Sequence, residues 1–358
     1  MKRLDAYILK KFLITYVFVM FIIVLIITVI DYVEKLDDFI EKQAPVKAIF
    51  LEYYLNFIPH WAIFISPLIV FISVVFFTAN MASRTEIIAI LSSGVSFVRL
   101  MWPYFMGAVI IGVTTFFMIA YVVPNGNKKR IAFEKKYVKS AFYFEQRDYH
   151  LKIGPEVYAY LESYNNGTQT GYKFTLEKIR GNQLLQKLSC DHITWDSTSA
   201  KWKIFDYRIR TINGTAETMK VGTQIDSTLN LKPDDFGSKY LQQETLTLTE
   251  LNAYITKLQS RGADGVEVYL IEKYIRFANP FGVLILTAIG LIVSARKSRG
   301  GVGLQIAFGF VLAFVYIMFF IFAKGVAEGG DLSPILAVWL PNIIFAGVGF
   351  LLYKTIPR

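Results

Sequence analysis

A chain of 358 residues that is 54% hydrophobic, 16% aromatic and only 18% charged reads as an integral membrane protein rather than a soluble domain. Its formal charge of +10 would suit nucleic acid, but the basic residues are dispersed and gather at the ends of apolar runs, which is the membrane pattern. The single cysteine, Cys190, excludes an intramolecular disulfide and a thiolate cluster, and His60, His150 and His192 lie far apart without an H-E-x-x-H spacing, so no metal site is expected.

The opening MKRLDAYILKKF is basic, and residues 12–30 then run without a charge. A secretory signal has a shorter apolar stretch followed by small residues at a cleavage site, whereas Asp31, Tyr32, Glu34 and Lys35 follow here. The run is therefore read as an uncleaved first span. Residues 31–56 are mixed and acidic, with Pro45 as a break. A second span at about residues 57–79 carries Pro59 and Pro67, which a membrane helix tolerates when its neighbours satisfy the freed carbonyls. The segment SRTEIIAILSSGVS, residues 83–96, comes next. Ser83 and Glu86 have capping-box spacing, Gly94 supplies a stop, and Ile87, Leu91, Val95 and Val98 share a stripe. Such a helix is too short to span a bilayer and is expected to lie at the membrane surface, available to a partner. A third span at about residues 100–123 ends at Pro124.

Between residues 124 and 272 the composition turns to that of a soluble domain. A basic helical lead at 127–140 gives way to β-rich runs around Tyr158, Tyr160 and Leu161, then Tyr172, Phe174, Leu176 and Ile179, then Trp202, Ile204 and Phe205. Asn166-Gly167 and Asn213-Gly214 are hairpin turns by type, and turn chemistry explains them better than their chance match to glycosylation acceptors. Short strands at such spacing predict a β-sandwich or jelly roll. A helix at 248–260, with Thr249 as its cap, leads into three more apolar runs at about 277–293, 302–323 and 335–353. The fold class is thus a six-helix membrane bundle with an inserted all-β jelly-roll domain, divided as residues 1–123, 124–272 and 273–358. Lys2, Arg3, Lys10, Lys11, Arg84, Arg99, Arg296, Lys297, Arg299, Lys354 and Arg358 fall on one side, and acidic short loops fall on the other. By the positive-inside rule the termini and the 83–96 helix are cytoplasmic and the β-domain is outside.

No Walker loop occurs, and the glycines of SRGGVGLQ lack the lysine a phosphate loop needs. The span cores hold no Asp, Glu, Lys or Arg, so nothing within them senses a coupling ion; any driving energy must arrive from a separate subunit. No acid, base and nucleophile set converges, which argues against a lipid enzyme. Gly303 with Ala307 and Gly309 with Ala313 are small-xxx-small pairs on the fifth span, suited either to packing within the bundle or to a loosely sealed contact with a second subunit. Lys35, Lys42, Lys128, Lys129, Arg130, Arg276 and Lys324 all fall near the outer headgroup layer, where cations suit phosphates on an amphiphile or simply anchor helices.

Four ordered motifs, SRTEIIAILSSGVS, TLTLTELNAYITKLQSRG, ARKSRGGVGLQIAFGF and LSPILAVWLPNIIF, resemble the lipopolysaccharide export permeases LptF and LptG over essentially the whole chain. The opening LDAYILKKF and the later VEKLDDF are more similar to LptG. The resemblance implies a permease paired with a second LptF/LptG-type chain and bound to a dimeric LptB-type ATPase in the cytoplasm. It implies extraction of lipopolysaccharide from the inner membrane and transfer through periplasmic jelly rolls toward LptC and LptA, with no cofactor in this chain and no nucleic acid. By the same resemblance the helix between spans two and three docks on the ATPase. Glu86 would meet an arginine there, and Arg84, Ile87 and Leu91 would share the contact; from the residues alone, a capping role explains Glu86 equally well. Spans one and five, with Ile27, Ile30, Gly303, Ala307 and Phe308, would form the lateral gate. In the resembling LptG proteins, lysines that face lipid A phosphates tend to end span one. Asp31, Asp37 and Asp38 stand there instead. A reading from another class is a membrane sensor or scaffold, or a mechanotransmission subunit that drives an envelope partner without carrying lipid.

Overall fold

A computed structural model describes residues 3–139, 147–181, 183–214, 216–236, 241–261, 265–295 and 301–354, with backbone alone at 234, 301, 302, 305 and 306. Contacts divide the chain into one unit of Met1–Val138, Gln243–Asn252 and Glu267–Arg358 and another of Lys139–Gln242 and Ala253–Val266.

The first unit is helical. It contains α1 (Arg3–Glu41), α2 (Val46–Ala48), α3 (Leu55–Phe64), α4 (Ser66–Ser83), α5 (Glu86–Ser92), α6 (Phe97–Phe117) and α7 (Val123–Tyr137). After the β-strands come α8 (Gln242–Thr245), α9 (Leu248–Ser260), which straddles the two units, α10 (Val266–Ser294), α11 (Gly301–Glu328) and α12 (Pro334–Lys354). Among the described residues six helices are long and apolar enough to cross a membrane: Arg3–Glu41, Ser66–Ser83, Phe97–Tyr137, Val266–Ser294, Ala307–Glu328 and Pro334–Lys354.

Three boundaries differ from those read in the sequence. The first helix continues through the acidic stretch to Glu41, where Asp31 and Lys35 bond across one turn at 2.8 Å. The second span is broken at Ile65, because Pro67 has no amide hydrogen and starts a new helix. The third does not stop at Pro124. A π-helical turn over Met118–Val122 absorbs the missing donor, and Pro124 sits in the first turn of α7, where no donor is required. Ile8, Phe12, Ile69, Val74, Met81, Ile87, Tyr104 and Leu291 form the main buried cluster, which draws α1, α4, α5, α6 and α10 together. A second cluster of Phe71, Val75, Leu286, Ala313 and Phe345 holds α4, α10, α11 and α12.

The second unit is a jelly-roll-type antiparallel structure of nine strands: β1 (Tyr149–Gly154), β2 (Val157–Leu161), β3 (Ser163–Asn165), β4 (Thr170–Tyr172), β5 (Thr175–Arg180), β6 (Gln183–Ser189), β7 (His192–Asp196), β8 (Lys201–Asn213) and β9 (Ala216–Ser227). Their order is β1-β2-β5-β6-β8-β7-β4-β3, with β9 paired to β8. The long β8 organises this unit. Residues Lys201 to Phe205 pair with β7 and Arg208 to Thr211 pair with β6. Asp206, at φ 49°, stands at the change of partner and bends the strand between the two groups. Of the two Asn-Gly pairs, Asn166-Gly167 lies in the β3–β4 turn, with Asn165 Oδ1 accepting the Gly167 amide at 2.9 Å. The other is offset, since Asn213 still pairs with Ala216, and Gly214 takes a positive φ, 64°.

Trp202 is completely buried in the β-unit core beside Phe174, Ile193 and Phe236, and its indole N–H donates to the Leu231 carbonyl at 2.8 Å. Trp202→Ala is expected to destabilise this unit by about 3–5 kcal/mol through cavity formation and an orphaned carbonyl. Limited proteolysis of the full chain in detergent should then show earlier cleavage within residues 149–227.

Candidate functional site

Two places in the helical unit gather the residues singled out in the sequence, and they lie at opposite ends of the membrane helices. At the first, α5 is only seven residues long and begins after Thr85, whose φ of 63° places a β-branched side chain in the left-handed region. The capping box expected at Ser83 does not form. Ser83 is the last residue of α4 and donates to the Asn80 carbonyl, while the α5 start has no side-chain cap. Gly94 does take a left-handed turn, at φ 84°. Ser96 then caps α6 by accepting the Arg99 amide at 3.3 Å, a role its S-x-x-R setting does not advertise.

What holds α5 in place is Ile87, 1% exposed in the main cluster, with Ile90 and Leu91 packed partly against it. Val95 is half-buried, and Val98 leaves the expected stripe because it belongs to α6 and is exposed. The outward face presents Arg84, Ile88, Ala89 and Ser92, and Ile88, 50% exposed, is a surface residue that stripe reasoning missed. Glu86 stands half-buried between the two faces, accepting from the Tyr7 hydroxyl at 3.3 Å.

The two small-residue pairs of α11 separate. Gly309 and Ala313 are internal: a Cβ on Gly309 would lie 3.2 Å from Val75, and Ala313 is fully buried. Among the described residues nothing lies within 4 Å of a Cβ built on Gly303, and Ala307 and Phe308 are exposed on that stretch of helix. On α1, Ile30 is exposed, while Ile27 packs partly against the Phe39–Tyr53–Phe133 cluster.

At the opposite end the cations do not form an open ring. Lys35 bonds Asp31 at 2.8 Å, bonds the Tyr53 hydroxyl and approaches Glu134 at 3.8 Å, and Tyr53 and Tyr54 donate to the same Asp31 carboxylate. Arg130 is buried and donates to Asn127 at 3.0 Å, Glu134 at 3.3 Å and Glu244 at 3.0 Å. Asn127 also lies 3.1 Å from His60 Nδ1 and donates to the Glu244 carbonyl. Arg276 has no exposed surface and donates to Glu272 and to the Gln243 carbonyl, each at 3.3 Å. Lys128 meets Glu250 at 2.9 Å, Lys324 meets Glu328 at 3.6 Å, and Lys129 is exposed. Lys42 is half-buried just after α1. The sequence reading treated these cations one by one. Glu134 and Glu272 stand one helical turn from Arg130 and Arg276, whereas the Arg130–Glu244 pair joins residues more than a hundred apart and has no local signal.

Among the described residues no group of three or more His, Cys, Asp or Glu is placed to hold a metal ion. Burial pushes the Cys190 thiol up to about 12, away from nucleophilic use. Among the described residues neither place assembles a nucleophile with a base; the first has an exposed helix face and the second a largely buried ionic cluster.

Compared with known proteins, residues 6–355 match the family model described as lipopolysaccharide export system permease LptF/LptG, which spans nearly the whole chain. No curated protein matches.

Glu244 provides a pH test of the ionic cluster. Its carboxyl is pushed up from 4.5 to about 7, chiefly by burial and then by the neighbouring Glu272, with Arg130 and Lys324 opposing. A carboxyl with a raised folded-state pKa binds more protons folded than unfolded, so its contribution to stability is full below about 4.5 and is lost as pH rises through about 7. Glu244→Gln keeps an acceptor for Arg130, and subtracting its profile removes the titration of neighbours such as His60. The wild-type minus variant stability from thermal unfolding in detergent is expected to decline between pH 5 and 8, at up to about 1.4 kcal/mol per pH unit.

Proposed function

The chain belongs to the lipopolysaccharide export system permease LptF/LptG family, and from that premise we propose a function for each end of its membrane helices. It is a permease subunit of lipopolysaccharide export and a multi-pass inner-membrane protein. It works beside a second LptF/LptG-type permease and is driven by a dimeric LptB-type ATPase. The α5 end faces the cytoplasm. Arg3, Lys10, Lys11, Arg84, Arg99 and Lys354 gather at that end and support this orientation; Lys2, Arg296, Lys297, Arg299 and Arg358, which share the charge pattern, lie outside the described residues.

The observation that carries the proposal is the division of α5 into a buried anchor and an exposed face. Ile87 and Leu91 seat the helix, while Arg84, Glu86 and Ile88 are left at the surface for the ATPase. Ile87, named from the sequence as a contact residue, acts in this proposal as the anchor. Closure of the ATPase dimer displaces α5, and the rigid cluster of Ile8, Phe12, Met81 and Ile87 passes the displacement to α1 and α4. Lipopolysaccharide enters laterally between α1 and the free stretch of α11 at Gly303, Ala307 and Phe308, and it leaves through the β-unit toward LptC- and LptA-type proteins. The chemistry agrees in scale, since exposing acyl chain costs about 0.8 kcal/mol per CH₂ and only an external energy source meets that demand.

The paired cations bear on the substrate. Arg130 is buried against Glu134 and Glu244, Arg276 is buried against Glu272, and Lys35 is matched by Asp31. In the proposed reading lipid phosphates are met by the exposed Lys129, or by cations of the partner permease, rather than by the buried arginines.

Two measurements test this reading. Purified complex should carry an ATPase and bound lipid, and a photo-crosslinker at Phe308, 54% exposed, should capture that lipid. Glu86→Gln is expected to weaken ATPase association at least tenfold, as loss of a charge-assisted pair does. Complex without lipid at Phe308 would favour a subunit that transmits force without carrying lipid, and unchanged association of the Glu86 variant would remove the docking role.

A further inference from the structure

Glu86 is engaged within its own chain. Its Oε2 accepts from the Tyr7 hydroxyl at 3.3 Å, and that hydroxyl in turn accepts a hydrogen bond from Lys11, whose Nζ also lies 4.4 Å over the Tyr7 ring. Tyr7 and Lys11 are four residues apart on α1, so they present one continuous polar row beside Ile8 and Phe12, the apolar row against which Ile87 packs. A second polar link lies just below. Arg99, at the start of α6, donates to the buried Asp5 at 2.7 Å. The first turns of α1 are thus tied both to Glu86, the first residue of α5, and to Arg99 beyond its end.

Resting on the ATPase-docking reading of α5, we infer that Tyr7 and Lys11 are positioning residues for the docking carboxylate. A glutamate at the start of a two-turn helix, following a left-handed residue and without a cap, is otherwise free to turn among rotamers. The relay removes that freedom. Lys11 polarises the Tyr7 hydroxyl and the hydroxyl holds Oε2, so that Oε1 remains for the partner's cation. The partner therefore meets a pre-oriented monodentate acceptor, and ordering it costs little at the moment of docking. The same relay attaches α1 to the docking point by side-chain bonds as well as by packing. Displacement of Glu86 then acts directly on the base of the helix that faces the proposed gate.

The test is a double-mutant cycle on the full permease complex in detergent, with the affinity of the purified ATPase for it as the readout. Tyr7→Phe keeps the ring and removes the hydroxyl, and it is expected to weaken ATPase binding roughly three- to tenfold, the effect of one lost hydrogen bond to a charged group. Lys11→Met should weaken it in the same direction and Lys11→Arg should restore it. In a Glu86→Ala background, Tyr7→Phe should have no further effect, because its action runs through the carboxylate. A role in packing alone would instead give the same loss in both backgrounds, and that additivity overturns the inference, as does unchanged or tighter binding of Tyr7→Phe while Glu86→Ala binds weakly. If wild-type complex holds no ATPase, or Glu86→Ala leaves the affinity unchanged, the docking reading itself fails and takes this inference with it.

Discussion

A helix of two turns does not hold itself together in water, because nucleation costs more than so few hydrogen bonds return. The α5 helix therefore exists only through burial of Ile87 among Ile8, Phe12, Met81 and Leu100, and most of what the helical unit does at this end depends on that one insertion. Burying an isoleucine contributes about 1.5–3 kcal/mol, enough to offset the left-handed strain at Thr85, which is on the order of 1–3 kcal/mol. The balance is close. It leaves α5 anchored to the bundle chiefly by Ile87, with Ile90 and Leu91 packed partly beside it and its other face exposed.

The same comparison explains which parts were legible in the sequence. That a short amphipathic helix follows the second span was visible in SRTEIIAILSSGVS, and so was its stop at Gly94. Its start was misread. Ser83 and Glu86 have the spacing of a capping box, yet the real one occurs at Thr247, whose amide donates to Glu250 at 2.8 Å while its hydroxyl accepts from the Glu250 amide. Both have the S/T-x-x-E pattern. The difference is tertiary: α4 continues through Ser83 because its residues are packed to the end, and the turn that follows is set by where Ile87 must go. Local propensity cannot register that constraint.

Charge partners were illegible for a related reason. The pairing of Asp31 with Lys35 follows from a spacing of four, but Tyr53 and Tyr54 reach the same carboxylate only because the chain folds back after Pro45. Arg130 and Arg276 look like phosphate ligands in a linear reading. In the fold they share buried ground with Glu134, Glu244 and Glu272, where an unpaired guanidinium would cost several kcal/mol. In the β-unit, alternation and turn types located the strands, but it could not show that β8 serves both strand groups. That assignment depends on a single bend at Asp206.

Exposure of apolar surface carries little information on α1 and α11, since lipid tails solvate leucine and phenylalanine as well as a partner helix does. Small residues are more telling. Gly309 and Ala313 let α11 approach α4 closely, with Val75 and Phe71 filling the space a larger side chain would take. Gly303 repeats the motif with nothing over it among the described residues. A helix gains nothing from glycine on a lipid face and loses about 1 kcal/mol of helix propensity relative to alanine. The residue is therefore costly where it stands unless another backbone comes near it. The later turns of α11 have such neighbours within the chain, in Val75 and Phe71 of α4; in the proposed assembly the early turns are left for the second permease, clear of the Gly309–Ala313 packing that fixes the helix.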